Sequence, residues 1–140
     1  VGLAANVYAV GKLALPTSLL LSPGALDDEQ MLMIRETPRI TEGILLPLAD
    51  SGAGPWVTAA AGYGERLDGS GYPNGSRGSE IPLMARIVAV ADTFQALLAD
   101  RPYRRGHARS RALHILQAQS GQLFDGVVTD TLEGLSRGQL

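Results

Sequence analysis

Leu83, Ile87, Val90, Phe94 and Leu97 recur at alternating steps of four and three. That spacing puts them on one apolar face of a helix, and Pro82 stands where such a helix opens. Downstream, Arg109 to Ser120 has the pattern of an amphipathic helix with Gly121 as its stop, and Asp125 to Leu135 of a final helix. Upstream, Val1 to Leu13 reads as the end of a buried helix closed by Gly11 and followed by Pro16, with a loop from Leu15 to Gly24. Asp27 is placed to cap a short helix over Asp28 to Glu36, with Gln30 in capping-box position. Thr37-Pro38 predicts a fresh start running to about Ala49, since Thr caps well and Pro is tolerated at the first helical position. Asp50 to Pro55 is a connector, and Pro55 to Gly64 another short helix. Asp68 to Ser79 holds Gly69, Gly71, Gly75 and Gly78 with Pro73 and Asn74, and predicts a loop. No segment alternates with period two and no repeat is visible, so the predicted class is all-α.

Composition narrows this reading without changing it. The chain has 140 residues, 45% of them hydrophobic and 19% charged, which suits one globular domain with a real core. A net charge of −2 gives no general field for polyanions, so any nucleotide contact needs a local basic patch. The absence of cysteine excludes disulfides and thiolate metal sites, and fits a cytoplasmic setting. No stretch reaches the roughly 20 apolar residues of a membrane span; Leu13 to Leu26 is interrupted by Pro16, Pro23 and Gly24. The chain lacks the order of a signal peptide and begins without Met inside the apolar stretch Val1 to Val10. Residues 1–140 are therefore expected to be a single domain cut from a longer protein, with helices or domains upstream.

Two runs carry candidate chemistry. Residues 65–73 read Glu-Arg-Leu-Asp-Gly-Ser-Gly-Tyr-Pro, and residues 80–104 contain Ile-Pro-Leu-Met-Ala-Arg-Ile-Val-Ala-Val-Ala-Asp-Thr-Phe-Gln-Ala and end in Arg-Pro-Tyr-Arg. Together they closely resemble the core of HD-GYP domains, a bacterial family of metal-dependent phosphodiesterases acting on cyclic di-GMP. The resemblance covers about Ala4 to Phe124 and implies an HD-domain-like helical bundle with a Gly/Pro-rich GYP loop. The family's His-Asp-x-Gly-Lys falls on Tyr8-Ala9-Val10-Gly11-Lys12, its His-Pro on Thr37-Pro38, and its His-His-Glu on Tyr63-Gly64-Glu65. Its next metal-binding Asp falls on Asp92, while the second Asp of that motif is Gln95.

Hydrolysis of a phosphodiester at neutral pH usually needs a metal to polarise the phosphoryl oxygen and activate water. Sites of this type are built from imidazole and carboxylate. The chain has two histidines, His107 and His114, both outside the segments that resemble the family's site and both suited to a surface or boundary role. One surviving carboxylate, Asp92, cannot hold two or three divalent ions. The expectation is a degenerate site made of Tyr8, Ala9, Lys12, Thr37, Tyr63, Gly64 and Asp92, with no catalytic residue, metal or cofactor.

The retained residues support competing roles. Asp92 lies mid-helix among apolar neighbours and needs a partner. Lys12 is the candidate, because the matching lysine of the family lies at the metal site; Tyr8 and Tyr63 are large enough to fill more of the space. The alternative is that all of these merely pack. In the loop, Asp68 can bond the backbone two residues on, Gly71 permits positive φ and Pro73 stiffens the exit. Tyr72 and Arg66 are the loop side chains able to offer stacking or charge. Arg101, Arg104 and Arg105, then His107, Arg109 and Arg111, form a basic turn. The resemblance implies that Arg101 and Arg104 hold cyclic dinucleotide phosphates; the alternatives are a solvated helix start, or Arg101 holding the loop through carbonyls. Acidic Asp27, Asp28 and Glu29 argue against direct nucleic-acid binding.

Three functions follow in order. The first is a regulatory or sensory pseudoenzyme of cyclic di-GMP signalling. The second is an interaction module, as a homodimer or with a cyclase or fused transcription-factor domain, docking through its terminal helices. The third is an active phosphodiesterase with an unorthodox site.

Overall fold

The computed structural model describes residues 2–22, 24–100 and 104–138, and within them the side chains of all but Leu3 and Ser51. Seven α-helices follow in order: α1 Gly2–Val7, α2 Thr17–Leu20, α3 Asp28–Leu45, α4 Gly54–Ala61, α5 Leu83–Leu98, α6 Arg109–Ala118 and α7 Gly126–Ser136. Short 3-10 helices occupy Val10–Ala14, Leu46–Ser51 and Gly78–Glu80. The described residues form no strand, and their β contacts are two isolated bridges, Asp68 with Arg77 and Ser120 with Phe124. The chain is an all-helical bundle, in agreement with the pattern. No described helix is long and apolar enough to cross a membrane.

Three predictions change. The N-terminal helix stops at Val7; Tyr8 and Ala9 make a turn before the 3-10 segment. The predicted Leu15–Gly24 loop contains the one-turn α2. The predicted restart at Thr37-Pro38 does not occur, because α3 runs through it unbroken. Asp27 does form the expected capping box with Gln30, accepting the Gln30 N–H at 2.8 Å. Pro38 lacks the N–H that would reach Ile34 four residues back. The Thr37 hydroxyl donates to that carbonyl at 2.6 Å instead, so the gap in the ladder is filled by the neighbouring side chain. Pro38 itself is fully buried, which offsets its poor helix propensity by packing.

α5 is central. Ala85 and Val88 join one cluster with Ala4, Leu45, Val57, Ala59, Ala60, Tyr63 and Ile81. Val90 and Phe94 join a second with Ala112, Leu116 and Phe124. The helix is therefore buried on two sides, whereas its apolar spacing predicts one. Ala59, Ala60 and Ala85 are wholly buried, and such small side chains let α4 approach α5 closely. Leu83 and Ile87, expected in the core, instead line an apolar cleft of about 320 Å³ with Ala91 on α5 and Val127, Thr131 and Leu135 on α7. Leu83 is 54% exposed and Val127 77%.

Asp125 caps α7 through the N–H groups of Val127 and Val128 and is also paired with Arg86 of α5. Both side chains are mostly covered, so breaking the pair leaves a charge with reduced access to water. Arg86→Met is expected to lower stability by about 2 kcal/mol in urea unfolding, between the values for surface and buried pairs.

Candidate functional site

Tyr8 to Lys12 forms a turn pressed against α3. The Thr41 hydroxyl, fully buried, donates to Tyr8 O and accepts from Gly11 N, each at 3.0 Å. A β-carbon on Gly11 would lie 2.2 Å from Thr37 O and 2.6 Å from Thr41 Oγ1. Gly11 is thus needed for close approach of two backbones, a different role from the helix stop its position suggests.

This turn aims Tyr8 across the bundle. Its hydroxyl donates to Asp92 Oδ1 at 2.6 Å, joining residues 84 apart in sequence. Asp92 thereby finds its partner in a phenol. The proposed Lys12–Asp92 pair does not form; the Lys12 ammonium lies over two rings instead, 5.9 Å from the centre of Tyr8 and 6.0 Å from that of Tyr63. Those rings meet edge to face at 4.9 Å and 70°. Tyr63 OH lies 3.2 Å from Thr37 Oγ1. The single Thr37 proton is directed to Ile34 O, so Tyr63 is the donor. Tyr8, Lys12, Thr37, Tyr63 and Asp92 therefore converge, with Ala9 and Gly64 beside them in sequence.

The Gly/Pro-rich loop follows Tyr63 and turns back on Gly64, where Tyr72 N donates to Gly64 O at 3.1 Å. Glu65, 4% exposed, accepts from Asn74 N at 2.8 Å and Ser76 N at 3.0 Å. Asp68 accepts from Ser70 N at 2.9 Å and Ser70 Oγ at 2.6 Å, the turn expected for it, and these bonds hold its carboxyl below the usual range. Positive φ falls on Gly69, Gly75 and Gly78, not on Gly71. Gly71 is there for space, since a β-carbon would lie 2.3 Å from Arg66 N. Tyr72-Pro73 is cis, and Arg39 Nη2 donates to Pro73 O at 3.2 Å.

Two of the four candidate ligand-binding side chains point inward. Arg66 donates to Glu65 O at 2.8 Å and Tyr63 O at 3.3 Å, with its guanidinium 4.9 Å from the Phe124 ring centre. Burial lowers its pKa. Arg104 donates to Ala96 O at 3.0 Å, Leu97 O at 3.3 Å and Arg105 O at 3.0 Å, covering the end of α5. Tyr72 is half-buried against Gly64, and Arg101 lies outside the described residues. Arg105, Arg109 and Arg111 are exposed. Asp100 accepts from Gly106 N at 2.7 Å.

The family model described as HD domain matches residues 1–128. The chain belongs to the HD-domain family. It is an HD domain of the HD-GYP type. The domain is 44% identical over 130 residues to the cyclic di-GMP phosphodiesterase response regulator RpfG of Xanthomonas campestris, covering 93% of this chain and 34% of that protein. It is 40% identical over 117 residues to 3'3'-cGAMP-specific phosphodiesterase 3 of Vibrio cholerae, covering 81% and 24%. It is 34% identical over 138 residues to a cyclic di-GMP phosphodiesterase of Thermotoga maritima, covering 96% and 36%. The chain thus spans about a quarter to a third of the length of these relatives.

HD-GYP domains imply a divalent metal centre, and the donors gathered here are two phenols, the Thr37 hydroxyl and the Asp92 carboxylate. Burial and the Asp92 bond raise the Tyr8 pKa far above its ordinary value, and burial pushes Tyr63 up to about 12. Both phenols are held in the protonated form at neutral pH. Thr37 offers a neutral hydroxyl, leaving Asp92 as the carboxylate. Among the described residues, no three His, Cys, Asp or Glu side chains are placed to share a metal.

Three supporting residues escape a sequence reading. Thr41 gives no signal. Gly11 signals a special backbone position but not which, and Glu65 stands in a recognisable motif without revealing that it anchors the loop.

The phenols make stability depend on alkaline pH. Tyr63 holds its proton more tightly folded, at about 12, than at its ordinary 10.0. Its contribution is therefore complete below pH 10 and drains away as pH rises toward 12. Chemical unfolding across that window should show a loss on the order of 2 kcal/mol from Tyr63 alone. The slope should be shallower in Tyr63→Phe.

Proposed function

We propose that this HD domain is a regulatory module of cyclic-dinucleotide signalling that binds without hydrolysing. The observation that carries the reading is the Tyr8 hydroxyl on Asp92, which gives the remaining candidate carboxylate a protonated partner. Hydrolysis in this fold needs a metal-activated water, and the donor set described above offers a single carboxylate for one, already engaged by Tyr8. The names of the relatives supply the ligand class, a cyclic dinucleotide. With Arg66 and Arg104 engaged on carbonyls, Arg101 is the remaining arginine of the proposed phosphate contact. Arg104→Ala is then a stability variant more than a binding variant.

A second reading, docking of a protein partner such as a cyclase, a transcription-factor domain or a second copy, is favoured by one feature. The α5–α7 cleft is walled by Leu83, Ile87 and Ala91 against Val127, Thr131 and Leu135, with no charge among them.

Calorimetric titration of cyclic di-GMP and 3'3'-cGAMP into chelator-treated protein separates the readings, alongside a hydrolysis assay with Mn²⁺. Saturable binding without turnover is expected, weakened about tenfold by Arg101→Ala, the value of one charge-assisted phosphate contact. Mn²⁺-dependent turnover would overturn the proposal. Neither binding nor turnover would transfer the function to the docking reading.

A further inference from the structure

The space for a side chain at position 64 is already taken. A β-carbon on Gly64 would lie 2.6 Å from Tyr72 Cε2, 2.8 Å from Tyr72 Cδ2 and 2.7 Å from the Tyr72 carbonyl oxygen. All three are closer than real β-carbons come to such atoms. Gly64 is not among the glycines with positive φ, so room is what this position requires of its residue. A ring alone could swing aside. The carbonyl is held, because the loop backbone is tied at several points: Tyr72 N donates to Gly64 O at 3.1 Å, Glu65 takes the Asn74 and Ser76 N–H groups, and Arg39 takes Pro73 O. Gly71 is pressed on the Glu65–Arg66 backbone from the same side.

The two hydrogen-bonded pairs draw on four segments. Tyr8 comes from the turn after α1, Thr37 from α3, Tyr63 from the end of α4 and Asp92 from α5. Lys12, from the 3-10 segment, sets its ammonium near both rings. A metal centre bridges helices through bonds to one ion; here hydrogen bonds between side chains join the same segments directly.

We propose that this site is self-occupied: Tyr72 fills the place of a side chain at position 64, and the Tyr8–Asp92 and Tyr63–Thr37 bonds clasp the surrounding helices without a metal ion. The proposal rests on the non-hydrolytic reading above and adds to it a fixed, closed loop. Gly64 and Tyr72 act as a pair, so a ligand side chain restored at 64 has to expel the loop before it can reach an ion.

The first test follows tyrosine nitration by tetranitromethane, located by peptide mass spectrometry, in the full chain and in Gly64→Ala. Tyr72 is expected to react slowly in the wild type and severalfold faster in Gly64→Ala, whose melting temperature falls by about 5 °C or more. Equal nitration with an unchanged melting temperature would overturn the pairing. Should Gly64→Ala not fold, Tyr72→Ala is decisive in its place. Removal of the ring should expose Tyr63, which is 4% exposed in the wild type, to nitration. A Tyr63 that stays protected refutes the seal.

The second test concerns the clasp. The wild type should melt at the same temperature in chelator and in Mn²⁺. Tyr8→Phe and Asp92→Asn combined should cost less than the sum of the single variants, by at least about threefold in the unfolding constant. A rise in melting temperature with Mn²⁺, or strict additivity, would defeat it. Turnover in the hydrolysis assay would remove the non-hydrolytic reading while leaving the Gly64–Tyr72 result standing, so the two failures are distinguishable.

Discussion

Asp92 sets a condition that much of the site then meets. It stands on α5, the helix shared by both apolar clusters, where a carboxylate has to be hydrogen-bonded to be tolerated. Its donor is the Tyr8 hydroxyl. For Tyr8 to reach it, the chain has to leave α1 in a turn, and that turn has to press on α3. Gly11 permits the approach and Thr41 secures it with two bonds to the turn backbone. From α3 the linkage continues through Thr37 to Tyr63 at the end of α4. The partnering of one half-buried carboxylate is thereby connected to the placement of four segments.

The loop obeys a different constraint, that of backbone satisfaction. An irregular segment lying on the core cannot leave its N–H groups unpaired. Glu65 accepts two of them while almost fully buried, and Asp68 organises the turn between. The glycines divide into two kinds. Gly69, Gly75 and Gly78 provide left-handed backbone, while Gly64 and Gly71 provide room. A loop held this way behaves as a fixed surface, and a ligand would meet it already formed.

Electrostatics follow from where the guanidinium groups go. Arg66, Arg86 and Arg104 are drawn inward to carbonyls or to Asp125, so these three cations serve the fold. A run of exposed positive charge lies beyond α5, at Arg105, Arg109 and Arg111. Under the proposed function, phosphate recognition would draw on the edge of the basic turn.

The sequence by itself determined the helical class, the capping box at Asp27, the course of α5 and the extent of the loop. Each is written in local spacing or in residue types with strong backbone preferences, and such signals act within a few residues. Its motif register also brought Tyr8, Thr37, Tyr63 and Asp92 into one cluster. Tertiary structure alone decided how they pair, because a bond between residues 84 apart leaves no trace in local pattern. It decided that α3 runs through Pro38, where a buried ring and the Thr37 hydroxyl outweigh a poor propensity. It also turned Arg66 and Arg104 inward, since unpaired carbonyls at a helix end and in a tight loop attract the nearest donor. What a charged side chain does depends on which backbone groups the fold leaves unsatisfied beside it, and that is fixed only once the helices have packed.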